Sequence, residues 1–212
     1  MARDRGDARL VRPIAVGAHG LVLRRWLIAD APRLLAAIES SLPELRLFMP
    51  WAMETPTLET VEAFLQTVAS GGSMGFGLVE DDGDCEVAGG FGLHDRRGPG
   101  TLEIGYWVRS DRTGRGYATA ATRALTDAAL DVFPAVDRIE IRCDPANLAS
   151  AAIPPKLGYR LDRTLVAEVE ATAQTGHQQV WVLDRKAPAT PTWPRTSGRS
   201  EPRGGRRRRR SR

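Results

Sequence analysis

TLEIGYWVRSDRTGRGYATAATRAL, from Thr101 to Leu125, decides the fold. Leu102, Ile104, Tyr106 and Val108 alternate along a strand, with Glu103, Gly105 and Trp107 on its other face. A polar turn crosses Ser110, Asp111 and Arg112, and Thr113-Gly114-Arg115-Gly116-Tyr117-Ala118 enters a helix. At a helix start the first backbone N–H groups have no intrahelical partner, and the helix dipole adds partial positive charge. Glycines let such a backbone approach an anion closely, so a pyrophosphate suits this loop, and Arg112 or Arg115 would add a charge-assisted contact. The loop has neither the lysine of a Walker-type phosphate loop nor the three glycines of the dinucleotide fingerprint. A tight strand-to-helix turn without a ligand is the other reading these residues allow on their own.

Working outward, the helix over 117–131 carries Ala121, Ala124, Leu125, Ala128 and Leu130 at packing positions, and Pro134 ends it. RIEIRC from Arg138 is a strand, a short helix follows Asn147, and strands are expected near 159–170 and 178–184. Upstream, FGLVE and EVAGGFGLHD flank the turn Asp81-Asp82-Gly83-Asp84 as a hairpin. LVLRRW, from Leu21 to Trp26, is the first strand expected. Asp30 is placed to cap a helix with Pro32 in its first turn, and Pro43 to end that helix. LRLFMPWA then reads as an apolar loop or single turn, and a second helix runs from about Thr55 to Ser70. Strands and helices in this order predict an α/β fold with a mixed sheet.

The chain has 212 residues, enough for one domain with tails, and no apolar run near the length of a membrane span. Cys85 and Cys143 read as reduced packing thiols of a cytoplasmic protein, and the three histidines lack metal-ligand spacing, so no metal is expected. The formal charge of +4 joins two opposed parts. From Arg185 to Arg212 eleven Lys or Arg face one acidic residue, a net +10, which leaves residues 1–184 at −6. Residues 1–13 read as a flexible lead-in, 14–185 as the folded domain, and 186–212 as a disordered Arg-rich tail.

The loop resembles the acyl-CoA pyrophosphate motif of the GNAT acyltransferases, with Thr113 where the general pattern has Gln or Arg. SLPELRLFMPW (Ser41–Trp51), EIGYWV, GRGYATAA, and Asn147 with Ser150 followed by KLGYR (Lys156–Arg160) occur in that order. Together they look like the RimJ/RimL-like branch, related to ribosomal-protein N-terminal acetyltransferases, over roughly residues 20–184. The resemblance implies a largely antiparallel central sheet with helices on both faces, and acetyl-CoA as cosubstrate. Trp107, Val108 and Arg109 would hold the thioester and pantetheine through their backbone, and Gly114 to Ala118 the pyrophosphate. Asn147 would hold the pantetheine arm, or cap a helix, or both. Lys156 would reach a CoA phosphate or cap the preceding carbonyls. Pro154-Pro155 restrict the backbone before them and should cut that helix to about one turn.

Acyl transfer to an amine needs a neutral amine and a proton for the departing thiolate. Ser150 matches the family's proton-donor position, with Tyr159 less well placed. Glu103 is the base favoured by the strand's alternation, and Glu140 its rival, although Arg138 and Arg142 suggest a charge network around the latter. The implied function is N-acetyl transfer to a peptide N-terminus or a small amine, by a monomer or homodimer, with the acceptor cleft lined by Phe48–Trp51 and the 171–176 loop. The alternatives are a catalytically silent acyl-CoA binder, and a ribosome- or RNA-associated module that uses the basic tail. Deleting residues 186–212 tests the last: RNA retention that is unchanged, or absent from both forms, removes any role for the tail.

Overall fold

The computed structural model describes residues 10, 12–17, 20–80 and 85–185; the lead-in up to Arg9 and the tail 186–212 lie outside them. Among the described residues eight strands form one sheet: β1 (Ile14–Val16), β2 (Leu21–Arg25), β3 (Met74–Glu80), β4 (Val87–His94), β5 (Thr101–Val108), β6 (Arg138–Cys143), β7 (Arg160–Val166) and β8 (His177–Asp184). Their spatial order is β1-β2-β3-β4-β5-β6-β8-β7, and every pair is antiparallel except β5 with β6. That one parallel pair needs a long crossover, which α4 (Tyr117–Val132) supplies.

Each strand presents alternate residues to two cores. Phe76, Leu78, Phe91, Leu93 and Ile104 face α4, which answers with Ala121, Leu125 and Ala129. On the opposite face, α1 (Ala31–Glu39), α2 (Leu42–Phe48) and α3 (Leu58–Ala69) pack Leu34, Leu45, Val61 and Leu65 around Trp26 and Val79. Helices thus cover both faces of a largely antiparallel sheet. On the α1–α3 side the strands carry glycine where side chains would otherwise fill the layer: Gly75, Gly77, Gly90, Gly92 and Gly105. Rings occupy the space instead. A Cβ added to Gly77 would meet the Trp26 ring at 2.6 Å, and one on Gly90 the Trp107 indole nitrogen at 2.5 Å.

Several sequence-based expectations change here. Leu45 to Phe48 belong to α2, an α-helix, and Pro50–Ala52 form a 3-10 turn. Pro43 begins a helix because a proline in the first turn lacks only an N–H that has no partner there anyway. Asp30 makes no cap bond to α1. Its carboxylate instead binds the Arg24 guanidinium through two 2.7 Å bonds and accepts the Leu27 N–H at 2.8 Å. Burial alone would raise its pKa, but Arg24 outweighs it and holds the carboxyl below its ordinary value. Strand β1 precedes the first strand expected, and Leu10, assigned to the lead-in, is buried in the α4-side core. The paired prolines act as anticipated: α5 (Leu148–Ala151) and α6 (Ile153–Lys156) are single turns broken at Ala152.

The last described residue closes the fold. Arg185 donates to the carbonyls of Leu130 at 2.7 Å, Phe133 at 2.8 Å and Val136 at 2.8 Å, satisfying groups that the end of α4 leaves open. Arg185→Ala should therefore cost about 2 kcal/mol. In thermal denaturation this appears as a melting temperature lower by about 4–8 °C. Lysine, with one head group for three carbonyls, should recover less than half of the loss.

Candidate active site

The parallel ladder between β5 and β6 runs from Thr101↔Arg138 to Ile104↔Ile141 and stops. From Gly105 to Val108 the β5 edge facing β6 has no ladder partner among the described residues, and it stands beside a cleft of about 1050 Å³. Past that edge the chain enters the glycine loop. Gly114 and Gly116 have φ of 74° and 80°, the left-handed region that favours glycine, and Gly116 is the residue from which α4 starts. Nothing lies within 4 Å of a Cβ added to either glycine, so space is open over the loop. Among the described residues no acceptor takes the amides of Gly114, Arg115, Gly116 or Ala118. Four donors left open at a helix N-terminus are an arrangement that suits an anion. The residues present thus fit the diphosphate and amide-bearing arm of an acyl-CoA.

Two of the cofactor residues expected from sequence are otherwise engaged. The Arg109 amide donates to Ala88 O at 2.9 Å, and its guanidinium binds Asp111 at 2.6 Å. Arg112 turns to Glu86 at 2.9 Å and lies near Glu80 at 3.3 Å. Both guanidiniums are paired with carboxylates in this arrangement. Arg115 is exposed on the loop and donates to Asp111 O at 3.3 Å, which leaves charge available to an anion. Thr113 turns its hydroxyl to Ser110 O at 2.8 Å and stabilises the turn. Lys156 is exposed at the end of α6, outside the cleft lining, where its carbonyl accepts from Arg123 at 3.5 Å.

On the α4 side of the opening, Asn147 caps α5: its Oδ1 accepts the Ser150 N–H at 3.1 Å, leaving the amide nitrogen toward the cleft it lines. The Tyr106 hydroxyl meets the Ser150 hydroxyl at 3.2 Å, and burial pushes the Tyr106 pKa well up, so this phenol stays protonated. Tyr159 is buried and paired with Thr126 at 2.7 Å, away from the cleft. The Cys143 thiol lines the cleft and is pushed up to about 11 by burial, hence neutral and unreactive at pH 7.

Glu103 takes a different role from the one its alternation suggested. Arg96 and Arg97 each bind one of its carboxylate oxygens, and Arg142 lies 3.6 Å away. Burial alone would raise its pKa, but the two guanidiniums outweigh this and hold the carboxyl below its ordinary value. A carboxylate so paired is a poor proton acceptor, because protonation would leave two cations uncompensated. Glu140 is likewise bound by Arg142 at 2.8 Å, as the charge network anticipated, while Arg138 pairs with Asp184 instead.

The acceptor side is built by two segments far apart in sequence. Thr172 and Ala173 donate their amides to the Arg46 and Leu47 carbonyls at 3.3 and 2.9 Å, and Gln174 Nε2 donates to Phe48 O at 3.2 Å. The β7–β8 loop thereby satisfies the open C-terminal carbonyls of α2 and bridges the cleft. Buried Asp144 holds the loop's base by accepting the Thr175 N–H at 2.7 Å. Phe48 to Trp51 line the cleft as expected, whereas only Gln174 of the 171–176 loop does. Trp51 and Trp107 form a tilted pair 6.2 Å apart. Sequence reasoning missed that pair, the Arg96–Arg97 clamp and His94, which lines the cleft beside Glu103; the alternation Gly90, Gly92, His94 held the signal for the last.

A family model described as an acetyltransferase (GNAT) domain matches residues 20–160. None of the curated proteins matches the sequence. Among solved structures, the ribosomal L7/L12 alpha-N-protein acetyltransferase RimL in complex with coenzyme A is similar, at 17% identity and TM-score 0.71 over 82% of this chain and 98% of that one. RimJ of Mycobacterium smegmatis in complex with CoA-disulfide matches at 23% identity and TM-score 0.69, over 82% and 86%. A GNAT-family acetyltransferase from Bacillus anthracis matches at 19% and 0.68, over 82% and 98%. At these identities the likeness is one of fold.

Gly116→Ala tests the cradle. A left-handed alanine costs about 1 kcal/mol or more, so the loop should open and acetyl-CoA affinity fall about fivefold to tenfold by calorimetry.

Proposed function

The chain belongs to the GNAT acetyltransferases, and from that premise we propose that it moves an acetyl group from acetyl-CoA to a primary amine, by direct attack of the amine on the thioester. The observation that carries this reading is the unpaired β5 edge, flanked on one side by the amide cradle of Gly114 to Ala118 and on the other by a bridged cleft. The backbone of Gly105 to Val108 would orient the pantetheine and thioester, and Asn147 Nδ2 would donate to a pantetheine carbonyl. Ser150, coupled to Tyr106, would supply a hydrogen bond and then the proton to the departing sulfur.

The acceptor is read from charge and from basicity. Glu54, Glu168 and Glu170 are exposed at the cleft and have no ion pair among the described residues, so the mouth favours a cationic group. Glu103 is neutralised by its arginines and contributes little to that field. An α-amine of pKa about 7.7–8 is partly neutral at pH 7, whereas a lysine at about 10.4 is neutral in about one molecule per thousand. A site without a strong carboxylate base therefore suits a peptide or protein N-terminus, or a small amine of similar pKa. The similar structures named for ribosomal-protein acetylation favour the peptide.

A panel of amines with acetyl-CoA, read by release of free CoA thiol, tests this. Peptides with a free N-terminus should turn over at least tenfold faster than Nα-blocked peptides whose only amine is lysine. Thermal stabilisation by acetyl-CoA without thiol release from any amine would instead make the chain a silent acyl-CoA binder. No stabilisation at all would overturn both readings.

A further inference from the structure

His94 ends β4 on the glycine-lined face, directly across from Glu103 in the antiparallel register. Its ring lies back along the strand. A Cβ added to Gly92 would come to 2.8 Å from His94 Nε2 and 3.1 Å from Cε1, and one added to the cross-strand Gly105 to 3.5 Å from Nε2. Two glycines facing each other across the strands thus make the shelf on which the imidazole rests. Gly105 is also the first β5 residue beyond the last parallel pair, Ile104↔Ile141, so Nε2 sits over the point where the open edge begins. Among the described residues neither ring nitrogen has a hydrogen-bond partner, although the ring is half-buried in the cleft wall. A polar ring shelved on glycines, facing the place where an acyl group would lie, and without a hydrogen-bond partner among the described residues is placed to act on a substrate.

We propose that His94 is the proton acceptor for the attacking amine, acting through Nε2 from the sheet face opposite Ser150 and Tyr106. This rests on the acetyl-transfer reading above. Nitrogen forms its bond to the thioester carbonyl carbon and gives one proton to Nε2; the carbon–sulfur bond then breaks, and the sulfur takes one proton from the Ser150 side. The proton on the imidazole passes to water through the open cleft and water restores the proton of the Ser150 side, so the net change is one proton off nitrogen and one onto sulfur.

The surrounding charges keep the ring ready to accept. Burial lowers the His94 pKa, and the Arg96 charge lowers it further; Arg97 acts in the same direction, while Glu103 and Asp95 oppose them. The same cleft is also lined by Glu54, Arg142, Asp144, Glu168, Glu170 and His177. The Arg96–Glu103–Arg97 cluster therefore supplies a net positive neighbour rather than the base itself. Because the folded pKa lies below 6.5, the ring is neutral at pH 7 and becomes charged only as pH falls below that value.

The experiment follows kcat against pH with acetyl-CoA and a peptide bearing a free N-terminus, for wild type and His94→Gln. Wild type should lose activity through an acid limb with its midpoint below 6.5. His94→Gln should bind acetyl-CoA with unchanged affinity, lose about 100-fold in kcat at pH 7, lack that limb, and regain part of the rate with added imidazole. Should His94→Gln not fold, a His19→Gln/His177→Gln chain leaves one ring, whose NMR titration should match the wild-type limb. Loss below threefold with the limb retained, or a ring midpoint more than about one unit from the limb, overturns the assignment of His94 alone. Wild type that binds acetyl-CoA yet releases no thiol with any amine overturns acetyl transfer, and His94's role with it.

Discussion

Parallel pairing of β5 with β6 lasts four residues and then ends, and every chemical feature of the molecule is arranged around that ending. A sheet interior normally leaves no backbone donor or acceptor unpaired, because each orphan costs about as much as a lost hydrogen bond. Here a strand edge, Gly105 to Val108, has no ladder partner toward β6 among the described residues. The same divergence carries β5 into the loop whose free amides begin α4. The open strand edge and the loop of free amides are therefore consecutive on one chain, so the backbone alone fixes the distance between them.

The opposite face of the opening depends on what the strands lack. Five glycines on β3, β4 and β5 remove a layer of side chains, and Trp26, Trp107 and His94 lie across the bare backbone. The α1–α3 layer is held clear of the sheet at this point by the bridge between the β7–β8 loop and the end of α2. That bridge consists of two backbone amides and the Gln174 side-chain amide meeting carbonyls that a helix end cannot satisfy for itself. The Ser41 hydroxyl, fully buried at the start of α2, accepts the Ser110 N–H at 3.0 Å and ties the same layer to the segment after β5. Acceptor cleft and acyl-CoA cleft are thus referenced to one another through two polar clasps.

Electrostatics sorts the ionisable groups into those that hold and those that react. Glu103, Asp30 and Glu140 are buried carboxylates with guanidinium partners, and their charges are consumed in structure. Tyr106 and Cys143 are raised by burial and stay protonated. His94 has an environment that moves it toward neutrality, and among the described residues neither ring nitrogen has a hydrogen-bond partner. With twenty-eight arginines and two lysines in the chain, forked cation–carboxylate pairs are the favoured way to neutralise a buried acid.

Much of this was legible in the sequence. The strand–glycine–helix order of 101–125, the alternation within β5, the Asn147–Ser150 spacing and the helix break at Pro154-Pro155 all follow from short-range rules, and each stands where those rules place it. Short-range rules failed where a distant partner decided the outcome. Pro43 opens a helix whose end is satisfied by residues more than a hundred positions away. Asp30 abandons a cap for Arg24, and Glu103, read as a base from its alternation, is ion-paired because the 95–100 turn folds Arg96 and Arg97 back onto it. Sequence by itself determined the α/β order and the glycine turn that opens α4, since both are properties of contiguous backbone. Only the tertiary structure decided which carboxylates are spent in pairs, where the parallel ladder ends, and which imidazole faces the opening, because burial and charge pairing depend on segments that meet only when the sheet closes.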